Sequence, residues 1–151
     1  MYKERMSNLM NAIDQQNPVG SSLRTMLFEA VESGLKNFVD YVNSVYGMET
    51  KIAIARFQVD DPREFQEIVK MMDTGRRYAH DAAIASINML DRICDKHGVE
   101  PIYGGSQDRT EIGDFCGKIV NEYFEGRNQG RVIAKEDVDR VIKEEVGFER
   151  E

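Results

Sequence analysis

The reading of this chain turns on PREFQEIVKMMDTGRRYAHDAAIASINMLDRICDKH, residues 62–97, which Asp61 precedes and Gly98 follows. Phe65, Ile68, Val69, Met72, Ala79, Ala82, Ala83, Ile87, Leu90, Ile93, Cys94 and His97 recur in it at helical spacings. At about 100° per residue they fall within roughly 140° of one another, the single apolar face of one helix. Both ends carry local signals. Asp61 suits the N-cap, Pro62 the first turn, where its missing N–H is not needed, and Glu64 a capping box. Gly98 suits the left-handed residue that closes a helix. Unbroken, this helix is roughly 54 Å long, more than a small domain spans. The sequence therefore predicts either a bend near Gly75 or extension into a partner.

Outward from this stretch the pattern stays helical. Met6, Leu9, Met10 and Ile13 define a short amphipathic helix that Asn17-Pro18-Val19-Gly20 ends. Ser21 and Ser22 suit the cap of the next helix. Its stripe runs through Leu23, Met26, Leu27, Ala30, Val31, Leu35, Phe38, Val39, Val42, Val45 and Tyr46 to an expected stop at Gly47. Lys51 to Val59 fits a helix on Ile52, Ala55, Arg56 and Val59, and an isolated strand on its β-branched alternation. No second strand signal pairs with it, so helix is the expectation. Val99 to Ser106 reads as a loop, packed across helix ends or serving as a ligand lid. Asp108 and Glu111 form a second capping box before Ile112, Phe115, Cys116, Ile119, Val120, Tyr123 and Phe124, with a stop at Gly126. After the turn Arg127 to Arg131, where the two arginines could hold one anion, a last helix carries Ala134, Val138, Val141, Ile142 and Val146, and the acidic end is expected to fray.

Composition bounds the possibilities. The 151 residues are 41% hydrophobic and 31% charged with only three prolines, which excludes a disordered or collagen-like chain. A chain of this size hides roughly 69% of its unfolded surface, enough for one core, so residues 1–151 are expected to form a single helical domain. A net charge of −7 argues against sequence-independent nucleic-acid binding, which needs a basic face. Cys94 and Cys116 form no metal-binding spacing and read as buried thiols. No apolar run reaches the ~20 residues of a membrane span, and Met1 to Arg5 does not open a signal peptide, so the cytoplasm is the expected compartment.

Candidate chemistry gathers on the 62–97 helix. Arg76, Arg77, His80 and Asp81 are its densest ionic cluster, and Asp73, Asn88, Asp91, Arg92 and Asp95 share the side away from the apolar stripe. A solvated outer face laced with ion pairs explains most of this pattern. The catalytic candidates are His80 for proton transfer and Asp81 to orient it or bind a metal, with Arg76 or Arg77 on phosphate; together they describe a hydrolase of a phosphorylated small molecule. The adjacent His-Asp pair invites comparison with metal-dependent HD-type phosphohydrolases, yet no histidine precedes His80 and the only other one, His97, lies on the apolar stripe. Glu29 with Glu32, Glu64 with Glu67 and Glu111 with Asp114 have the form of the acidic pairs of helical magnesium-dependent pyrophosphatases, at separations that do not suit that class. No nucleophile elbow or phosphate loop is present, and Gly104-Gly105-Ser106 lacks the lysine that follows in one. No metal site or cofactor is therefore assigned. A weaker alternative is a regulatory module touching nucleic acid through Arg76, Arg77 and Arg92.

Arg77-x-x-His80-Asp81-Ala82, then Asn88, Leu90, Arg92 and Cys94, then Gly98-Val99-Glu100-Pro101-Ile102-Tyr103 and Asp108-Arg109, resembles an uncharacterised all-helical domain family of Gram-positive bacteria. The resemblance covers roughly the C-terminal two thirds of the chain. It implies a helical fold in a bacterial cytoplasm and brings no activity, cofactor or catalytic residue. The expectation is an all-α bundle of five or six helices organised around one long central helix, about 62–97. Its expected role is a non-catalytic interaction or scaffold protein that self-associates, with a protein partner possible and neither membrane nor nucleic acid favoured. Candidate ligand- or partner-binding residues are Arg76, Arg77, Asn88, Arg92, Tyr103, Asp108 and Arg109. Met6, Met10, Met26, Met72 and Met89 suit either adaptable contact surfaces or core filling.

Overall fold

The computed structural model describes residues 2–104, 111–124 and 132–147. Every regular element among them is helical: α1 (Tyr2–Gln16), α2 (Ser22–Gln58), α3 (Pro62–His97), α4 (Ile112–Tyr123) and α5 (Lys135–Val141), the last running into a π-helical turn, Ile142–Val146. The expected all-α bundle is thus observed, with one change of plan. Two long helices organise it instead of one, because α2 continues through Gly47 and takes in residues 51–58, reaching 37 residues against the 36 of α3.

A glycine inside a helix costs about 1 kcal/mol relative to alanine, too little to stop a helix whose neighbour keeps rewarding it. Here the reward is α3, which runs back along α2 after the three residues 59–61 and makes the most extensive helix contact in the molecule. The same pairing accounts for the length of α3. Its helix is continuous through Gly75, where an added Cβ would meet nothing within 4 Å.

Caps at three helix ends match their sequence signals. Ser21 accepts from the amide of Arg24, Asp61 accepts from the amide of Arg63 behind Pro62, and Gly98 adopts φ 70°. At α4 the expectation changes. The N-cap residue is Glu111 itself, whose side chain makes no cap bond, while Asp108 and the expected stop at Gly126 lie outside the described residues. So do Arg127, Arg131 and the acidic end.

The core sits where the first half of α2 and the second half of α3 meet the shorter helices. Leu9 and Ile13 of α1, Phe38 of α2, Leu90 of α3 and Phe115 of α4 are almost fully enclosed, each worth roughly 1.5–3 kcal/mol of burial. Gly34 is needed at one close approach: a Cβ there would sit 2.7 Å from Leu90 Cδ1. Before α5, the Asn43 amide group both donates to Ile133 O (3.0 Å) and accepts from Ile133 N (2.8 Å), fixing that segment to α2. Ala134, expected on the apolar side, is exposed, and Ile133 takes the buried place. Toward the tip of the hairpin, Phe65, Ile68, Val69 and Met72 stay half-buried.

Candidate functional site: the outer face of the long hairpin

The ionic cluster of α3 forms a line along one helix. Asp73 anchors it, accepting from Arg76 Nη2 and from Arg77 Nε, each at 3.0 Å. The Arg76 hydrogen bond holds the Asp73 carboxyl below its ordinary value. His80 stacks edge-on against Tyr41 of α2, with ring centroids 5.3 Å apart, and its Nδ1 lies 3.5 Å from Asp81 Oδ1. Asp81 faces solvent. Neither His80 nor Asp81 lines any of the principal clefts. Among the described residues, no three His, Cys, Asp or Glu side chains come together in a way that would hold a metal. The three acidic pairs accordingly stay separate.

The arginines do not make one patch. Arg76 and Arg77 are committed to Asp73, and Arg92 lies about 24 Å further along α3, at 1.5 Å per residue. With Asn88, Arg92 edges a cleft of about 850 Å³ between α2 and the end of α3, floored by Leu23, Leu27 and Ile93. Tyr103 is drawn the other way, its ring packed edge-on against Phe115 at 5.2 Å. Asp108 and Arg109 lie outside the described residues.

Two residues not expected in the role hold the loop after α3. Asp91, assigned to the solvated side, is half-buried and its Oδ1 accepts from the amides of Ile102 (2.9 Å) and Tyr103 (3.3 Å). Burial raises its pKa above the ordinary value, against the lowering effect of those amides and of Arg5. Arg5 of α1, singled out by no sequence signal, is buried and directs Nη1 at the carbonyls of Pro101 and Ile102, both 3.4 Å away. Ile102 between them is enclosed. Over residues 99–104 the loop is therefore packing, pinned from both sides. A polar residue at i+4 from an apolar one gives no warning of this, because its partners are backbone groups distant in sequence.

The histidine on the apolar stripe has a similar task. His97 Nδ1 lies 2.8 Å from Ile93 O, which makes it the donor, and Nε2 then accepts from Asn17 Nδ2 at 3.1 Å, joining the ends of α3 and α1. The cysteines are buried and unpaired by disulfide. Burial pushes the Cys94 thiol to about 11, helped by the charge of Asp91, and the Cys116 thiol to about 12. Neither is an activated nucleophile.

What the outer face does present is apolar. Met71 and Tyr78 are each 73% exposed, Met26 64% and Met89 54%, whereas Met6 belongs to the core. Two grooves follow the hairpin on this side. One lies between Ala30 and Ser33 of α2 and Ala82, Ala85 and Met89 of α3, and the other between Met48 of α2 and Met71 and Gly75 of α3. No helix among the described residues is long and apolar enough to cross a membrane.

Residues 23–129 match the family described as "Protein of unknown function (DUF3232)". The match takes in most of α2, all of α3 and α4, and the loop between them. No curated protein and no solved structure matches the chain.

Proposed function

For a chain that belongs to this family of unknown function, we propose a non-catalytic role: a helical interaction protein that self-associates through the outer face of the α2–α3 hairpin. The observation that carries the reading is the row of large apolar side chains left in water there, Met26, Met71, Tyr78 and Met89, on a molecule whose remaining apolar residues include a well-filled core. Exposed apolar area that follows a helix for its length costs free energy in a monomer and is recovered when a second surface covers it. Methionine suits such a surface because its unbranched side chain adapts to what it meets. The buried, protonated thiols fit a reducing compartment, and with the sequence resemblance they favour the cytoplasm of a Gram-positive bacterium.

The hydrolase reading gains no support from this geometry. His80 and Asp81 line none of the principal clefts, Asp81 stands in water, and among the described residues they join no group of three or more potential metal ligands. Sedimentation equilibrium across roughly 1–200 µM tests the proposal, because interfaces of modest size dissociate in the micromolar range. Concentration-dependent growth in mass supports it, and a monomer throughout refutes it.

A further inference from the structure

Along one strip of α3 lie Met71, Gly75, Tyr78, Ala82, Ala85 and Met89, all exposed but the half-buried Ala82 and separated by alternating steps of four and three. That spacing makes a second seam on the side of the helix turned from the core, of the kind that packs against another helix with knobs in holes. The seam reads the same in both directions about His80. Met71 and Met89 lie equally far from it, as do Gly75 and Ala85, and Tyr78 and Ala82. We infer that the occupant of this face is a second copy of the chain, with the two α3 helices packed antiparallel about a twofold axis level with His80.

Three observations point to a second copy. The first is shape. In the antiparallel arrangement Tyr78 of each copy meets Ala82 of the other, Gly75 meets Ala85, and the methionines meet at the two ends. Each Tyr78 therefore falls on a small residue, the backbones approach where Gly75 meets Ala85, and the adaptable methionines fill the two ends.

The second is charge. The chain carries −7, so two copies repel over most of their surface, but from Met71 to Met89 Asp73 and Asp81 balance Arg76 and Arg77. A twofold axis across the helices keeps each flank of the seam beside its own counterpart. Arg77 then lies within about 3 Å, along the axis, of Asp81 of the other copy, on the same flank. Both side chains are largely exposed, and in the dimer Arg77 exchanges its bond to Asp73 for that contact while Asp81 turns from His80.

The third is size. The seam is about 27 Å long, and with the neighbouring strip of α2 the face is roughly 20 Å wide, near the low end of what a specific dimer covers. Dissociation in the micromolar range follows.

The inference rests on the self-association proposed above, and its tests separate the two. Ala82→Arg is expected to weaken the dimer at least tenfold in sedimentation while leaving helical content unchanged, since Ala82 is no part of the core. Arg77→Glu and Asp81→Arg should each weaken it, and the double exchange should restore it. Orientation is read by disulfide trapping, for which Cys94 and Cys116 are too buried to interfere. A mixture of Tyr78→Cys and Ala82→Cys chains should cross-link quickly under mild oxidation, and Met71→Cys alone should not, because its two copies lie about 27 Å apart. Rapid self-cross-linking of Met71→Cys would overturn the antiparallel seam while leaving self-association intact. A dimer unaffected by Ala82→Arg would overturn the face itself, and a wild-type chain that stays monomeric at 200 µM would overturn both readings.

Discussion

Replacing Asp91 separates two things this residue does, and the structure sets the expected size of each. Its Oδ1 is the acceptor for both the Ile102 and Tyr103 amides. Asp91→Ala leaves two half-buried donors without a partner, at about 1–3 kcal/mol each, with the 3.3 Å bond at the lower end. A loss of about 2–4 kcal/mol is expected, seen in urea unfolding as a midpoint lower by roughly 1–2 M. Asp91→Asn keeps an oxygen in the same place and removes the buried charge, so it should stay within about 1 kcal/mol of the parent at pH 7. The pH dependence follows from the raised carboxyl. The folded chain holds the Asp91 proton more tightly than the unfolded chain, whose ordinary value is 3.8. Stability from this group is therefore full below that value and declines as pH rises through the folded one. The asparagine variant lacks that decline, so it should gain on the parent from pH 3 to pH 7. Hydrogen exchange at Ile102 and Tyr103 supplies the local measurement: both amides should lose protection in the alanine variant and keep it in the asparagine variant. Equal destabilisation by the two substitutions, or unchanged protection in Asp91→Ala, would refute the reasoning.

Further outcomes follow from other contacts. Asp91→Asn should also lower the Cys94 thiol from about 11, since the carboxylate's charge is one cause of its elevation; a thiol titration against the parent checks this. Gly34→Ala should cost about 1–3 kcal/mol because its Cβ meets Leu90, and Leu90→Ala about 2–5. The double variant should cost less than the sum of the two by at least about 1 kcal/mol, the shortened Leu90 having made room, as a double-mutant cycle would read. Arg5→Ala should cost about 1–3 kcal/mol in thermal or urea unfolding and loosen residues 100–103 in hydrogen exchange, with helical content retained. Cys94 and Cys116 should resist an aromatic disulfide reagent in the folded chain and react together on unfolding.

The origin of the interaction face shows why sequence and structure contribute differently here. The apolar stripe from Phe65 to His97 is set by local spacing, and so are the caps at Ser21, Asp61 and Gly98; each depends on residues within one or two turns, so each is legible in the chain alone. The candidates His80, Asp81, Arg76 and Arg77 were legible as polar positions off the core face for the same reason, although Arg76 and His80 are half-buried; spacing along one helix cannot show whether other elements curve around them to make a cleft. None of the principal clefts is lined by His80 or Asp81.

Helix length was decided by tertiary pairing. Gly47 carries a local stop signal worth about 1 kcal/mol, and the contact of α2 with α3 outweighs it. The roles of Arg5, Asn43 and Asp91 were likewise hidden, because each bonds backbone groups that the fold brings from 90 or more residues away or from the far side of a turn. The sequence by itself determined an all-helical chain, its capped ends and which face of α3 is greasy enough to bury. Only the tertiary structure decided that α2 would cover that face, leaving Met71, Tyr78 and Met89 outside, since a helix's own periodicity fixes its faces but not which neighbour occupies them.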